Sequence, residues 1–185
     1  MTASRGPTRE ELDAATGRSM PDIIARDLRV LFCGINPSLY SVVVGHHFAR
    51  PGNRFWPTLH LSGFTARQLR PSEQDELLGR GLGITNFVDR ATATADLLDN
   101  DELKQGARAL EAKVRRYKPR VLAVLGMGAY RTAFARPKAG LGPQPETLGP
   151  SRLWVLPNPS GLNAHYQLKD LARLFAQLRS AVDER

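Results

Sequence analysis

The chain of 185 residues is 42% hydrophobic and 24% charged, which is ordinary composition for about one globular domain and argues against wholesale disorder. Its single cysteine, Cys33, excludes an internal disulfide framework and any metal site built from several thiolates. The formal net charge of +8 suits a polyanionic partner, although a generally basic proteome explains it equally well.

No segment has the pattern of a signal peptide, and none approaches the roughly 18 consecutive apolar residues of a membrane span. We therefore expect a soluble protein of the cytoplasm, nucleoid-associated if bacterial, that does not contact membranes. Residues 1–20 are polar, with a short helical pattern at residues 9–15, and predict a flexible N-terminal extension. Residues 21–185 are expected to form a single domain, because no linker or repeat interrupts them.

Four short apolar runs predict buried strands, at residues 30–33, 83–88, 121–125 and 152–156. Helical patterns lie between and after them, at residues 53–63, 72–78, 101–117 and 128–134, and in a last segment whose apolar face is Leu168, Leu171, Phe175 and Leu178. Asn53 and Ser72 are the expected N-terminal caps of the first two helices. Strands that alternate with helices predict a parallel sheet with helices on both faces. Residues 138–150, rich in Gly and Pro, predict a surface loop.

The first and last predicted strands both end in an Asn-Pro pair, Asn36-Pro37 and Asn158-Pro159. Proline cannot donate to a strand ladder, so each strand ends there. Ligands of open α/β sheets bind at the carboxyl ends of the strands. The stretch after Pro37 mixes small residues, two histidines and Phe48, and predicts a binding loop, although an ordinary strand-to-helix connection is the plainer interpretation.

Leu162 is an apolar residue inside the polar, Gly- and Pro-rich loop that follows the last strand. It either packs on the following helix or acts as a wedge that enters a base stack, as in proteins that distort DNA. Taken alone, the loop supports the two interpretations equally.

Three segments of the chain resemble the mismatch-specific uracil-DNA glycosylases, which are relatives of thymine-DNA glycosylase: GINPSLYSVVVGHHFARPGNRFW, GITNFVDR and LPNPSGLN. The resemblance implies a three-layer α/β/α domain with a small, mainly parallel sheet. It also implies a monomeric, monofunctional enzyme of base-excision repair. Such an enzyme flips uracil out of double-stranded DNA, preferably from G·U mispairs, and hydrolyses its N-glycosidic bond to leave an abasic site.

The resemblance also assigns roles to individual residues. Asn36 positions the attacking water, Phe48 stacks on the flipped base, and Asn158 is the asparagine of the second motif. The vacated position in the duplex is filled, and the opposite guanine read, by Gly161, Leu162 and Asn163. The expected base pocket comprises Ile35, Ser38, Ser41, Phe48, Asn86 and Asn158. At position 38 relatives often carry Gly, so Ser38 is expected to affect which pyrimidine is accepted.

Asn36 cannot take a proton at neutral pH, so it orients water without acting as a true general base, and a slow enzyme is expected. Asp89, just past the second strand, is the candidate carboxylate that would change this, unless it is a salt-bridge partner or a helix cap. Phosphate contacts are expected from Arg54, Ser160 and His165, with Lys113 and Arg115 as further basic candidates. Neither a metal nor a cofactor is expected, since His46 and His47 are adjacent and make a poor chelating pair.

Two alternatives stay open. Gly126-Met127-Gly128 after the third strand is typical of a Rossmann-type nucleotide-binding enzyme, but the third glycine of that fingerprint falls on Arg131. A DNA lesion-binding domain without catalysis would share the charge and the exposed leucine. The sequence also leaves open whether thymine, ethenocytosine, A·U pairs or single-stranded uracil are substrates.

Overall fold

The computed structural model describes residues 5–184. Five strands form one sheet in the order β2-β1-β3-β5-β4: β1 (Val30–Gly34), β2 (Leu82–Asn86), β3 (Val121–Leu125), β4 (Gly142–Leu148) and β5 (Ser151–Leu156). Strands β2, β1, β3 and β5 pair in parallel, and β4 joins the edge of β5 antiparallel. The helices are α1 (Arg9–Ala14), α2 (Leu39–Val44), α3 (Phe55–Leu61), α4 (Asn100–Tyr117), α5 (Met127–Ala133) and α6 (Leu168–Asp183).

Two helical layers cover the sheet, because successive residues of each buried strand face opposite sides. Phe32 of β1 packs with Phe55 of α3 and Phe175 of α6 on one side. Its neighbour Leu31 packs on the other side with Leu110 of α4. The four parallel strands are fully buried along almost their whole length. The predicted three-layer α/β/α architecture with a small, mainly parallel sheet is confirmed.

The sequence pattern did not predict one of the five strands, β4. Residues 138–150 were predicted as a surface loop, yet β4 forms within them and pairs with β5. Pro143 and Pro145 hide the strand signal, since proline has no N–H to donate and is tolerated only at strand positions whose nitrogen faces no partner strand. The position of β4 at the sheet edge, with a break in register between Pro143 and Thr147, accommodates both prolines.

Two helices begin at other residues than the sequence predicted. The N-cap of α3 is Arg54 and not Asn53. The Asn53 side chain still accepts a hydrogen bond from the N–H of Phe55, the first residue of the helix. The segment with Ser72 forms a 3₁₀ helix (Pro71–Arg80) whose cap is Arg70. Helix α2 lies within the predicted binding loop, where Ser38 caps its first turn and Gly45 ends it at a φ of 76°.

Part of the segment predicted as an N-terminal extension is folded and contacts the rest of the domain, and residues 1–4 lie outside the described part. Thr8 and Glu11 form a capping box at the start of α1. Ala15 is fully buried in a small cluster with Val42 of α2 and Ala91. Within residues 5–184, no helix is long and apolar enough to cross a membrane.

Candidate active site

The carboxyl ends of β1, β2 and β5 meet around one cavity. Nine of the residues predicted for the site line it: Ile35, Asn36, Ser38, Ser41, Phe48, Asn86, Asn158, Ser160 and Leu162. Residues 92–95, which follow β2, close one side and were not predicted, because nothing in their sequence marks them. His47 and Arg50 also line the cavity.

The Asn36 side chain is fixed in one orientation by its hydrogen bonds. Its Nδ2 donates to the Arg90 carbonyl at 3.0 Å and to Thr92 Oγ1 at 2.7 Å. The Thr92 hydroxyl in turn donates to the Thr94 carbonyl, so Thr92 Oγ1 acts as the acceptor towards Asn36. Since a carbonyl only accepts, the amide cannot be reversed. Both Nδ2 protons are used, and Oδ1 remains as an acceptor with no partner among the described residues.

Helix α4 holds the segment that orients Asn36. The Arg90 guanidinium pairs with Glu102 in the first turn of α4 and also donates to the Leu97 carbonyl. The hydrogen bond from Arg90 lowers the pKa of the Glu102 carboxyl to about 2. Glu102 therefore stays ionised at neutral pH and fixes Arg90, whose carbonyl receives Asn36.

Asn86 ends β2, and its side-chain amide opens to the cavity. The residue is only 7% exposed and lines the cavity, and its side chain makes no hydrogen bond within residues 5–184. Gly34 makes room for it, because a Cβ at position 34 would lie 2.5 Å from Asn86 Oδ1. Because the amide opens to the cavity with its donor and its acceptor unused by the described residues, the site is suited to a ligand that offers both an acceptor and a donor.

Phe48 presents an aromatic ring to the cavity. The ring stacks on Phe55 of α3 with the centroids 4.2 Å apart, which supports it from the core side. Its backbone has a φ of +53°, a conformation that costs a bulky residue energy and that the surrounding packing must hold.

Ser38 and Ser41 combine capping with pocket lining. Ser38 Oγ accepts from the Ser41 N–H and donates to Ser41 Oγ. Ser41 Oγ also accepts from the Ala49 N–H. The Ser41 hydroxyl proton has no acceptor among the described residues, and it is available to a ligand.

The loop that follows β5 is held by its own side chains. Asn158 Oδ1 accepts from the Ser160 N–H, which turns Nδ2 away as a donor without a partner in the described chain. Asn163 Nδ2 donates back to the Asn158 carbonyl. Leu162 stands at the cavity mouth with 67% of its surface exposed. Packing on the following helix is therefore not its role.

Asp89 is the predicted catalytic residue that the structure does not bring to the cavity. It is exposed, and none of the residues that line the cavity within the described chain is a carboxylate. The alternative role of Asp89 as a salt-bridge partner is not seen within residues 5–184, and Arg90 pairs with Glu102 instead.

Of the residues predicted to contact phosphates, some have side chains that are paired within the protein and others do not. His165 is exposed, and Ser160 lines the cavity. Lys113 pairs with Asp22 at 2.5 Å and donates to Thr85 Oγ1, and Arg115 pairs with Glu111 on the surface of α4. The Arg54 guanidinium donates to backbone carbonyls. Lys113 and Arg54 are therefore engaged with groups of the protein itself, and contact with a phosphate stays a prediction for both.

Arg50 is a basic group that the sequence did not single out. It is exposed at the cavity rim, and its side chain has no partner within the described residues. No group of three or more His, Cys, Asp or Glu side chains suited to a metal ion occurs in residues 5–184.

The sequence model of the uracil DNA glycosylase superfamily matches residues 21–179 of the chain. A solution NMR structure of a Methanosarcina acetivorans protein, provisionally named a uracil DNA glycosylase, is similar with a TM-score of 0.59. The alignment covers 88% of this chain and 98% of that chain at 16% sequence identity, which bears on the fold alone.

Proposed function

The chain belongs to the uracil DNA glycosylase superfamily, and from this premise we propose that it hydrolyses the N-glycosidic bond of uracil in double-stranded DNA, preferably in G·U mispairs. The observation that carries the proposal is the convergence of Asn36, Phe48 and Asn86 on one cavity with Leu162 exposed at its mouth. A uracil extruded from the duplex would enter this cavity, and an abasic site would remain in the DNA.

Asn86 is the proposed reader of the base. A uracil edge offers the N3–H donor beside carbonyl acceptors, and one amide side chain matches such a pair with an acceptor and a donor. The buried, unpartnered state of Asn86 supports this role, because a base that lacks the matching groups would leave the amide unsatisfied. Phe48 would stack on the base, an interaction worth roughly 1–3 kcal/mol in related systems.

Asn36 is the proposed ligand of the attacking water. Its Oδ1 is the free acceptor of an amide fixed by Arg90 and Thr92, so a water held there would arrive in one orientation. Cleavage leaves negative charge on the departing uracil, and the unpartnered Nδ2 of Asn158 supports a role in stabilising it. Without a carboxylate in the cavity the reaction is expected to be slow.

Leu162 is the proposed wedge. An exposed leucine on a loop at the cavity mouth is suited to enter the base stack when the uracil leaves it. Extrusion costs a few kcal/mol and costs least for a mispaired base, which supports the preference for G·U over A·U. No lysine lines the cavity in the described chain, so hydrolysis is expected rather than Schiff-base lyase chemistry.

Uracil release from oligonucleotides tests the proposal. Wild type is expected to release uracil from a G·U duplex faster than from an A·U duplex. Asn36→Ala should lower the rate at least about 10²-fold with little loss of binding to the same duplex. Asp89→Ala is the matched control, since Asp89 is exposed outside the cavity.

Two results would contradict the proposal. Binding of the G·U duplex without any release by the wild type would leave the lesion-binding alternative. A larger loss from Asp89→Ala than from Asn36→Ala would move catalysis to a carboxylate.

A further inference from the structure

Arg54 contacts the loop that carries Leu162 at three points. Its Nη2 donates to the Ser160 carbonyl and, at 2.7 Å, to the Asn163 carbonyl. Its Nη1 donates to the Tyr166 carbonyl. The first two acceptors bracket Leu162 in the chain, so one guanidinium fixes the backbone on both sides of the exposed leucine.

The backbone around Arg54 supports the same loop. The Arg54 N–H donates to the Pro159 carbonyl at 2.9 Å. Gly161 lies directly against Gly52, since a Cβ at position 161 would approach the Gly52 carbonyl oxygen to 2.7 Å. Arg54 is the N-cap of α3, whose residues Phe55 and Leu59 are fully buried. The loop therefore rests on a rigid element of the core.

We propose that Arg54 is a positioning residue, which holds the loop of residues 158–166 in the shape that presents Leu162 to DNA. It acts on base extrusion through Leu162 and not by contact with a phosphate. This inference rests on the proposed function, because it assigns Arg54 a part in the same reaction.

The chemistry of the guanidinium favours this role over a phosphate contact. Both protons of Nη2 are donated to loop carbonyls, and Nε is buried without a hydrogen-bond partner. A planar, rigid fork of N–H donors fits several fixed carbonyls at once, whereas the ammonium of lysine is a point charge on a flexible stem. Arg50, exposed two residues before Gly52, is placed to meet a phosphate instead.

A double-mutant cycle tests whether Arg54 acts through Leu162. Single-turnover uracil release from a G·U duplex is measured for Arg54→Met, Leu162→Ala and the double variant. Each single change is expected to lower the rate at least about 10-fold, and the double variant should fall within about twofold of the slower single variant. Multiplied effects in the double variant would overturn the proposal.

Salt dependence separates the positioning role from a phosphate contact. The slope of log Kd against log salt for the G·U duplex is expected to be the same for Arg54→Met and wild type. It should fall by about 1 for Arg50→Met, the matched control. A slope reduced by the same amount in Arg54→Met would show that Arg54 contacts DNA and would overturn the proposal.

Hydrogen exchange on the free protein keeps the test independent of activity. Amides of residues 160–165 that bond within the loop should exchange faster in Arg54→Met and unchanged in Leu162→Ala, with an intermediate effect for Arg54→Lys. Equal exchange in wild type and Arg54→Met would overturn the positioning role. If the wild type releases no uracil, the proposed function fails. The exchange result then still decides whether Arg54 holds the loop in place. If Arg54→Met does not fold, Arg54→Lys replaces it in each measurement.

Discussion

Thr92 Oγ1 lies 2.7 Å from Asn36 Nδ2 and accepts its hydrogen bond, because the Thr92 hydroxyl proton is donated to the Thr94 carbonyl. These two hydrogen bonds determine which atom of the Asn36 amide is turned to the cavity. With Nδ2 satisfied by Thr92 and Arg90, only Oδ1 is left to hold a water. Thr92 is 3% exposed, so water cannot readily replace its hydroxyl.

Thr92→Val is expected to lower kcat for uracil release about 10-fold, while binding of the G·U duplex stays within a factor of about two. The variant removes the acceptor of one buried hydrogen bond, a change of roughly 1–3 kcal/mol, and it leaves the loop that carries Leu162 unchanged. Thr92→Ser keeps the hydroxyl and should keep most of the rate. Equal losses in Thr92→Ser and Thr92→Val would show that the methyl group matters and not the hydrogen bond.

Gly34→Ala is expected to abolish most uracil release from a protein that still folds. The added Cβ would lie 2.5 Å from Asn86 Oδ1 and 3.4 Å from Phe48 Cζ, so the amide must leave its position. Gly128→Ala is the control, because a Cβ there meets nothing within 4 Å beyond its chain neighbours and the adjacent backbone of its own helix. The measurement is release from the G·U duplex together with the thermal midpoint, and full activity in Gly34→Ala would contradict the role given to Asn86.

Asn86 itself can be tested by shape and by charge. Asn86→Leu keeps much of the volume but offers no hydrogen bond, and Asn86→Asp offers acceptors without a donor at neutral pH. Both are expected to lower kcat/KM for G·U at least about 10-fold, since a buried hydrogen bond to the base would be lost. An Asn86→Leu enzyme that matches the wild type would rule out base reading by this residue.

The strands and the residues at their ends were predictable, and the contacts between loops were not. Buried runs such as Val121–Leu125 carry a strong hydrophobic signal, and the Asn-Pro pairs placed Asn36 and Asn158 at one sheet edge. The partner of Asn36 was missed because Thr92 comes from another loop, more than 50 positions away, with an unremarkable local sequence. The contacts of Arg54 with the loop were missed for a related reason, since charge in a sequence does not reveal which carbonyls will surround it.

The buried His47 is expected to make the stability of the protein depend on pH. It is 3% exposed, and its Nε2 donates to the Pro21 carbonyl at 2.8 Å, which a neutral ring satisfies. Burial is the main cause that lowers the pKa of His47 from 6.5, while the Pro21 carbonyl and Asp22 act in the opposite direction.

The sign of the effect follows from proton linkage. The unfolded chain binds a proton at His47 as the pH falls through 6.5, before the folded protein does, so the free energy of unfolding is lower at pH 5.5 than at pH 7.5. Urea unfolding midpoints at these two pH values measure the difference. In His47→Gln the difference is expected to shrink, whereas the exposed control His165→Gln should keep it. The carboxyl of Glu102, with a pKa of about 2, titrates below this window and does not obscure the result. An unchanged difference in His47→Gln would show that another group carries the pH dependence.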